Sequence, residues 1–408
     1  MAVLAEREAA PVAAGRAPRF PLLDSVRAIA ALSVVVFHAG AWSELTRSGG
    51  AASALLTRLD VGVTVFFVLS GFLLYRPFAR ARLLGGPAPS AGAYGWRRAL
   101  RIVPAYWVAL VLTSLWLGKR YVLEPENAFE YFGFAQVYST LALGGITQAW
   151  TLCIEVAFYA FLPLWALLLR RLPGGVRTEW LGLVALAVLA VGWNAVLAFS
   201  AADPQHANIP AGLIWPPAYL DHFALGMALA VASVLGERDG RTPGALAWAA
   251  RRPWLAWAGA VTAFVAVALG IGLSPENRLD APITAWQVLG RHWLYAAVAV
   301  GVVLPAVVGP PGQGAIRRFL AHPALLWVGV VSYGLYLWHN AAMEQFGGGD
   351  GGWGDFLRLL VIGLAGGLLA AALSWRLLEK PILRLKRLVP DRALPPRDPE
   401  THAPVATR

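Results

Sequence analysis

The stretch "LLDSVRAIAALSVVVFHAG", Leu22 to Gly40, has the length and apolar composition of a membrane-spanning helix. It nevertheless carries Arg27 and His38, and ionisable groups inside hydrocarbon are costly and are often functional. Eleven residues make about three turns of an α-helix, so the two side chains lie on one face, about 16 Å apart along the axis. The stretch therefore predicts a spanning helix with two polar groups at different depths.

A structural role is the alternative interpretation of both residues. Arg27 would then anchor the helix at the cytoplasmic interface, and His38 would form a hydrogen bond with another helix.

The composition indicates a membrane protein. Hydrophobic residues make up 58% of the 408 residues, charged residues only 14%, and the mean hydropathy is +0.58. Soluble domains are about one quarter charged. The net charge of +11 is spread between apolar segments rather than gathered on one face, which argues against a nucleic-acid partner. The single cysteine excludes an intramolecular disulfide and any zinc site built on several cysteines.

Apolar runs long enough to cross the bilayer recur along the chain and predict an all-α polytopic protein, a single bundle of about ten transmembrane helices. Residues 135–150 do not fit as a crossing, and we expect them to form a re-entrant or outer-face segment. The expected spans cover 24–43, 59–77, 103–118, 152–171, 179–199, 215–235, 254–273, 287–309, 325–345 and 356–378.

The distribution of positive charge sets the expected orientation. Most of the 34 Lys and Arg residues fall on one side if both termini lie in the cytoplasm. The Ala- and Pro-rich ends, residues 1–20 and 389–408, are predicted to be disordered cytoplasmic tails.

Two groups, one at the cytoplasmic side and one within the second span, could bind an anionic or slender ligand. Arg97, Arg98 and Arg101 cluster at the start of the third span, where arginine forks suit phosphate oxygens; contact with lipid headgroups is the alternative. In the second span, Ser70 and Gly71 would let a ligand or a neighbouring backbone approach closely, and plain helix packing is the alternative.

Several ionisable groups are expected near the outer side of the bundle. Glu155 lies one turn inside the fourth span, Asp221 and His222 open the sixth, and His339 lies in the ninth. A carboxylate beside His38 could orient the imidazole and raise its basicity, as acid–base catalysis requires. The histidines lack short metal-ligand spacings such as HxxxH, so no metal site is predicted.

These motifs together resemble the acyltransferase-3 family of integral membrane O-acyltransferases over residues 22–387. The motifs are the Arg-x10-His pair Arg27 and His38, "FFVLSGFLL" (66–74), "RRALRIVPAYW" (97–107), "WTLCIEVAFY" (150–159), "SYGLYLWH" (332–339) and "LLEKPILRLKR" (377–387). The similarity is to compact members without an added soluble domain, which act on cell-surface glycans or macrolide sugars. Residues 21–388 would then form one transmembrane acyltransferase domain.

The resemblance implies acyl transfer from acyl-CoA, as a cosubstrate rather than a tightly bound cofactor, to a hydroxyl of a glycan, glycolipid or macrolide acceptor. Its site would lie in a bacterial plasma membrane, with lipid as the other partner. His38 would act as general base or transient acyl carrier, with Glu155 and Arg27 as further catalytic residues. The expected substrate-binding residues are Arg97, Arg98, Arg101, Ser70, Gly71, Tyr106, Trp150, Asp221, His222, Tyr336 and His339.

A proton-coupled transporter with His38 and Glu155 as a relay is the alternative function. The absence of a visible internal repeat and the arginines on the expected donor side favour the enzyme.

Overall fold

Ten long helices dominate the computed structural model, which describes residues 20–139, 141–200, 211–241, 244–271, 284–310, 312–347 and 351–389. No β-strand occurs in these ranges. The helices are α1 (Leu22–Trp42), α2 (Gly62–Leu84), α3 (Ala91–Trp116), α4 (Trp150–Arg171), α5 (Gly175–Ser200), α6 (Leu220–Arg238), α7 (Pro253–Val265), α8 (Ala285–Val307), α9 (Pro323–Phe346) and α10 (Trp353–Ser374).

The predicted all-α, multi-pass membrane architecture is confirmed. Within the described ranges, nine helical segments are long and apolar enough to cross a bilayer. A tenth candidate span results when α9 and the short helix Gly314–Leu320 are counted together. The two helices are bent by 53° relative to each other. The expected tails lie outside the described residues, except for Phe20 and Val389.

Local sequence explains where several helices begin. Ser90 caps α3, and its hydroxyl accepts a hydrogen bond from the backbone N–H of Ala93 at 3.2 Å. Thr284 and Gln287 form a reciprocal capping box at the start of α8. Because the cap of α3 lies at Ser90, the helix begins twelve residues before the expected span at 103. The clustered arginines 97, 98 and 101 therefore lie on a helix face within α3.

Residues 135–150 do not form a spanning helix. They contain two short 3₁₀ turns, Gln136–Tyr138 and Thr147–Ala149, and follow a separate helix at Pro125–Phe132. Val137, Ile146 and Ala149 are buried, so this irregular segment packs on the bundle.

Alternating crossings give the bundle two ends, which we name by the helices that begin there. The odd-numbered helices begin at the basal end, and the even-numbered helices begin at the apical end. Arg27 and the α3 arginines lie towards the basal end, whereas His38, Glu155 and the start of α6 lie towards the apical end.

The contact between α2 and α6 fixes the centre of the bundle. A Cβ at Gly71 would overlap the carbonyl of Phe223, and a Cβ at Gly226 would overlap the carbonyl of Val68. Two glycines thus let the helix backbones touch, as small residues do in membrane interfaces. Gly71 therefore serves helix packing, which was the alternative to the ligand contact expected from the sequence.

This contact makes Gly226→Ala destabilising. The added methyl group forces α2 and α6 apart, and overpacking of this kind lowers the free energy of unfolding by about 1–3 kcal/mol. Gly259→Ala is the matched control, since Gly259 lies on α7 with no atom near its Cβ position. Heating both variants in detergent before size-exclusion chromatography should show a lower melting temperature for Gly226→Ala alone. Equal melting temperatures would contradict the packing role.

Candidate active site

A cleft of about 810 Å³ lies between α1, α2, α3, α4 and α9, and we call it the first cavity. Its basal part is lined by Arg27, Arg98 and Arg101. Its apical part is lined by Ser70, Glu155, Thr151, Tyr159 and Tyr336, among other residues. Residues chosen from five distant sequence motifs therefore surround one space, with the positive charge at one end.

The three arginines differ in how they are held. Arg27 pairs with Asp24 at 3.1 Å, one turn earlier in α1. Arg101 lies 3.6 Å from Glu379 and stacks over the ring of Trp375 at 5.6 Å. The Nε atom of Arg98 is buried and has no hydrogen-bond partner among the described residues. Arg98 therefore offers a donor to an anion in the cavity.

Glu155 has a hydroxyl partner at the apical end of the cavity. Its carboxylate accepts a hydrogen bond from Ser70 on α2 and lies beside Tyr159, one turn later in α4. The expected pairing of His38 with Glu155 is therefore not among the contacts of this carboxylate.

His38 pairs with another histidine. Its Nδ1 lies 3.0 Å from Nε2 of His339, and Nδ1 of His339 lies 2.8 Å from the Leu335 carbonyl. Because a carbonyl only accepts, Nδ1 of a neutral His339 carries the proton and its Nε2 accepts from His38 Nδ1–H. The lone pair of neutral His38 is then at Nε2. His339 is fully buried and His38 is half-buried. Of the two imidazoles, that of His38 is therefore the more accessible to a substrate.

Phe66 and Tyr336 form an aromatic wall of the first cavity, and the Tyr336 ring lies beside the histidine pair. Neither His38 nor His339 is among the residues that line the cavity. Tyr336 does line it, and its ring centroid is 6.2 Å from that of His339 and 6.2 Å from that of Phe66. Thr151 holds the Tyr336 hydroxyl at 2.5 Å. The histidines thus lie one residue layer beyond the cavity.

Asp221 and His222 belong to a different cluster. Asp221 Oδ2 lies 2.8 Å from Nε2 of His292 on α8, and the His222 and His292 rings stack at 4.1 Å. The three side chains offer atoms that could ligate a cation, and these atoms lie within 4.8 Å of one another. The hydrogen bond between Asp221 and His292 and the parallel rings instead describe a self-paired polar cluster.

Other residues expected to bind substrate lie elsewhere. Tyr106 is fully buried, and its hydroxyl donates to the Tyr131 carbonyl at 2.9 Å, so it holds α3 to the Pro125–Phe132 helix rather than facing the cavity. Trp150 lines a second cavity near the apical end, and Arg97 is not among the residues that line the first cavity.

The sequence interpretation did not single out His292 or Asp60. Both line the second cavity, and His292 follows Arg291 inside an apolar segment. The criterion that selected His38, an ionisable side chain within a predicted span, would also have found His292.

Comparison with known proteins gives a family match along most of the chain. A family model described as an acyltransferase domain matches residues 20–378. Nodulation protein 10 of Rhizobium leguminosarum bv. viciae is 28% identical over 89% of this chain and 93% of its own length. Acyltransferase MdmB of Streptomyces mycarofaciens is 26% identical over 91% of this chain and 93% of its own length. No solved structure matches significantly.

The buried position of Tyr106 makes Tyr106→Phe a stability variant. Loss of the hydroxyl leaves the Tyr131 carbonyl without this donor and should lower the free energy of unfolding by about 1–3 kcal/mol. Thermal unfolding in detergent measures the effect, and Tyr138→Phe, at an exposed side chain of the same region, provides a comparison. A Tyr106→Phe protein with unchanged melting temperature but altered substrate KM would restore the binding role.

Proposed function

The chain belongs to the acyltransferase-3 family, and we propose that it moves an acyl group from acyl-CoA to a hydroxyl of a sugar-containing acceptor, in a bacterial plasma membrane. The observation that carries this proposal is the first cavity, which has three arginines at its basal end and the Ser70–Glu155 pair at its apical end. Family membership supports the enzyme over the proton-coupled transporter.

The arginines suit the diphosphate of CoA. Arg98 has a buried donor atom that finds no partner in the described part of the chain, and Arg27 and Arg101 line the same part of the cavity. Guanidinium groups bind phosphate oxygens through paired N–H donors. Acyl-CoA would thus bind as a cosubstrate with its diphosphate at the basal end, in the cytoplasm, and its acyl-pantetheine arm directed towards Ser70.

His38 is the proposed general base. Its Nε2 takes the proton of the acceptor hydroxyl while the oxygen attacks the thioester carbonyl. The C–S bond then breaks, and the imidazolium returns the proton to the CoA thiolate. His339 acts as a positioning residue, because its Nε2 fixes the tautomer that leaves His38 Nε2 basic. An acyl-histidine formed at the same nitrogen is the alternative covalent route.

Glu155 and the aromatic wall would complete the site. The Glu155 carboxylate offsets part of the positive charge of the arginines that share its cavity. Because neither histidine lines the cavity and Tyr336 lies both on the cavity and beside His339, the thioester reaches His38 when the aromatic wall rearranges. Transfer therefore includes a side-chain rearrangement at this wall.

The role of His38 predicts loss of catalysis in His38→Ala. Removal of a general base lowers kcat by about 100- to 10,000-fold. Release of free CoA thiol by purified protein, with acyl-CoA and a sugar acceptor present, measures the rate. A folded His38→Ala protein with wild-type kcat would refute the assignment.

The histidine pair predicts a graded effect at position 339. His339→Phe removes the acceptor of His38 Nδ1–H, so kcat should approach that of His38→Ala. His339→Gln retains an amide oxygen and should recover part of the rate. Similar rates for the two variants, with equal melting temperatures, would show that the His38 tautomer is not set by residue 339.

The donor site predicts a difference between two adjacent arginines. Arg98→Gln should raise KM for acyl-CoA about tenfold, since hydrogen bonds to charged groups contribute about 1.5–3 kcal/mol, and should leave the acceptor KM unchanged. Arg97→Gln is the matched control, because Arg97 is not among the residues that line the cavity. Steady-state kinetics with each substrate varied in turn distinguish them. Equal effects of both variants would place the diphosphate elsewhere.

A further inference from the structure

A second cavity, of about 850 Å³, opens among the apical ends of α2, α4, α5, α6 and α8. It is lined by residues at or near the starts of the even-numbered helices, including Asp60, Trp150, Tyr219, His222 and Arg291. Arg27, Arg98 and Arg101, which mark the donor end of the first cavity, are not among its lining residues.

The lining combines aromatic faces with hydrogen-bonding groups of both charges. Trp150 and Tyr219 lie with ring centroids 6.1 Å apart. Asp60 supplies an acceptor, one oxygen of which already accepts from the Tyr295 hydroxyl, and Arg291 supplies a donor fork within the same space. A sugar ring has apolar faces edged by hydroxyl groups, each a donor and an acceptor, so this lining matches it better than it matches an anion or a lipid tail.

One residue that lines this cavity has a buried side-chain nitrogen to which the described residues give no partner. His222 is only 1% exposed, and its Nδ1 makes no hydrogen bond within the described part of the chain. Its Nε2 lies 3.3 Å from the carbonyl of His292, which can only accept. Nε2 of neutral His222 therefore carries the proton, and Nδ1 presents a lone pair. A buried lone pair without a partner is costly, and a ligand hydroxyl would satisfy it.

The orientation of the His222 ring is fixed by its neighbours Asp221 and His292. Asp221 binds His292, and His292 stacks on His222, so the orientation of His222 is set before a ligand arrives. The carboxylate is occupied by His292, which favours a hydroxyl over a metal ion as the partner of His222.

The two cavities are separated by a thin partition. Val63 lines both of them. Phe67 from the first cavity packs on Tyr219 from the second, with ring centroids 5.1 Å apart. Thr151 and Trp150, which are consecutive in α4, line the first and second cavities respectively.

We propose that the second cavity binds the sugar of the acceptor, which enters from the apical end while acyl-CoA enters from the basal end. The inference rests on the proposed function and extends it: the two substrates approach the site of transfer from opposite sides of the membrane. His222 accepts a hydrogen bond from a sugar hydroxyl, and Asp60 and Arg291 select further hydroxyl groups.

Sided cysteine labelling tests the two entrances. Cys153 is the single cysteine and is buried, so Cys153→Ala gives a background without thiols. Val288→Cys then marks the second cavity, Leu73→Cys marks the first, and Ala297→Cys marks the outward face of α8 as a control. A membrane-impermeant maleimide should label Val288→Cys in intact cells and Leu73→Cys only in inverted vesicles. Labelling of both from one side would overturn the inference.

Protection separates this inference from the proposed function. In detergent, an N-acetylglucosamine tetramer or the macrolide glycoside erythromycin should slow labelling of Val288→Cys several-fold, and CoA should slow labelling of Leu73→Cys. Equal labelling of Val288→Cys with and without both sugars would overturn the acceptor site. CoA protection at position 73 and thiol release would then still support the proposed function, whereas their absence would refute that function itself.

Kinetics give a second readout that does not depend on cysteine substitutions. Arg291→Gln should raise the acceptor KM about tenfold and leave KM for acyl-CoA unchanged, which is the reverse of Arg98→Gln. Ala297→Gln, on the outward face of the same helix, should alter neither. An unchanged acceptor KM in a folded Arg291→Gln protein that still transfers acyl groups would overturn the role of this cavity.

Discussion

Polar side chains inside a membrane-spanning bundle must be hydrogen-bonded, paired or placed beside water, and this requirement organises the centre of the protein. Several of the costly groups from the predicted spans have a partner on another helix. Ser70 meets Glu155, His38 meets His339, and Asp221 meets His292. The partners come from helices far apart in sequence, so the same bonds that satisfy these groups also fix which helices are neighbours.

The direct backbone contact between α2 and α6 links this polar interior to the two cavities. Gly71 and Gly226 bring the helices together, and the apical turns of these helices then place Phe67 against Tyr219. Those two rings belong to opposite sides of the partition. A wider helix spacing would merge the cavities, so close packing at two glycines keeps the proposed donor and acceptor spaces distinct.

The sequence predicted the helices well because an apolar run of spanning length is a local property. The family resemblance placed Arg98, Arg101, Ser70 and Glu155 in one expected site, and these four residues line the first cavity. The sequence could not predict that His38 meets His339 instead of Glu155, because rotation of one helix against another depends on packing along its whole length. The contact of Tyr106 could not be predicted for a related reason: its partner, the Tyr131 carbonyl, lies on a short helix outside the predicted spans.

The position of His38 outside both cavities has a chemical consequence. A base that is permanently open to the thioester and to water would promote hydrolysis of acyl-CoA, whereas a base behind a closed wall acts only after a rearrangement. Tyr336 is suited to that control, because its hydroxyl is held by Thr151 on the first cavity and its ring lies beside His339. Trp150, which lines the proposed acceptor site, immediately precedes Thr151 in α4. The residue that holds the Tyr336 hydroxyl is therefore the direct neighbour of a residue of the proposed acceptor site, and the two proposed substrate sites meet at this point of α4.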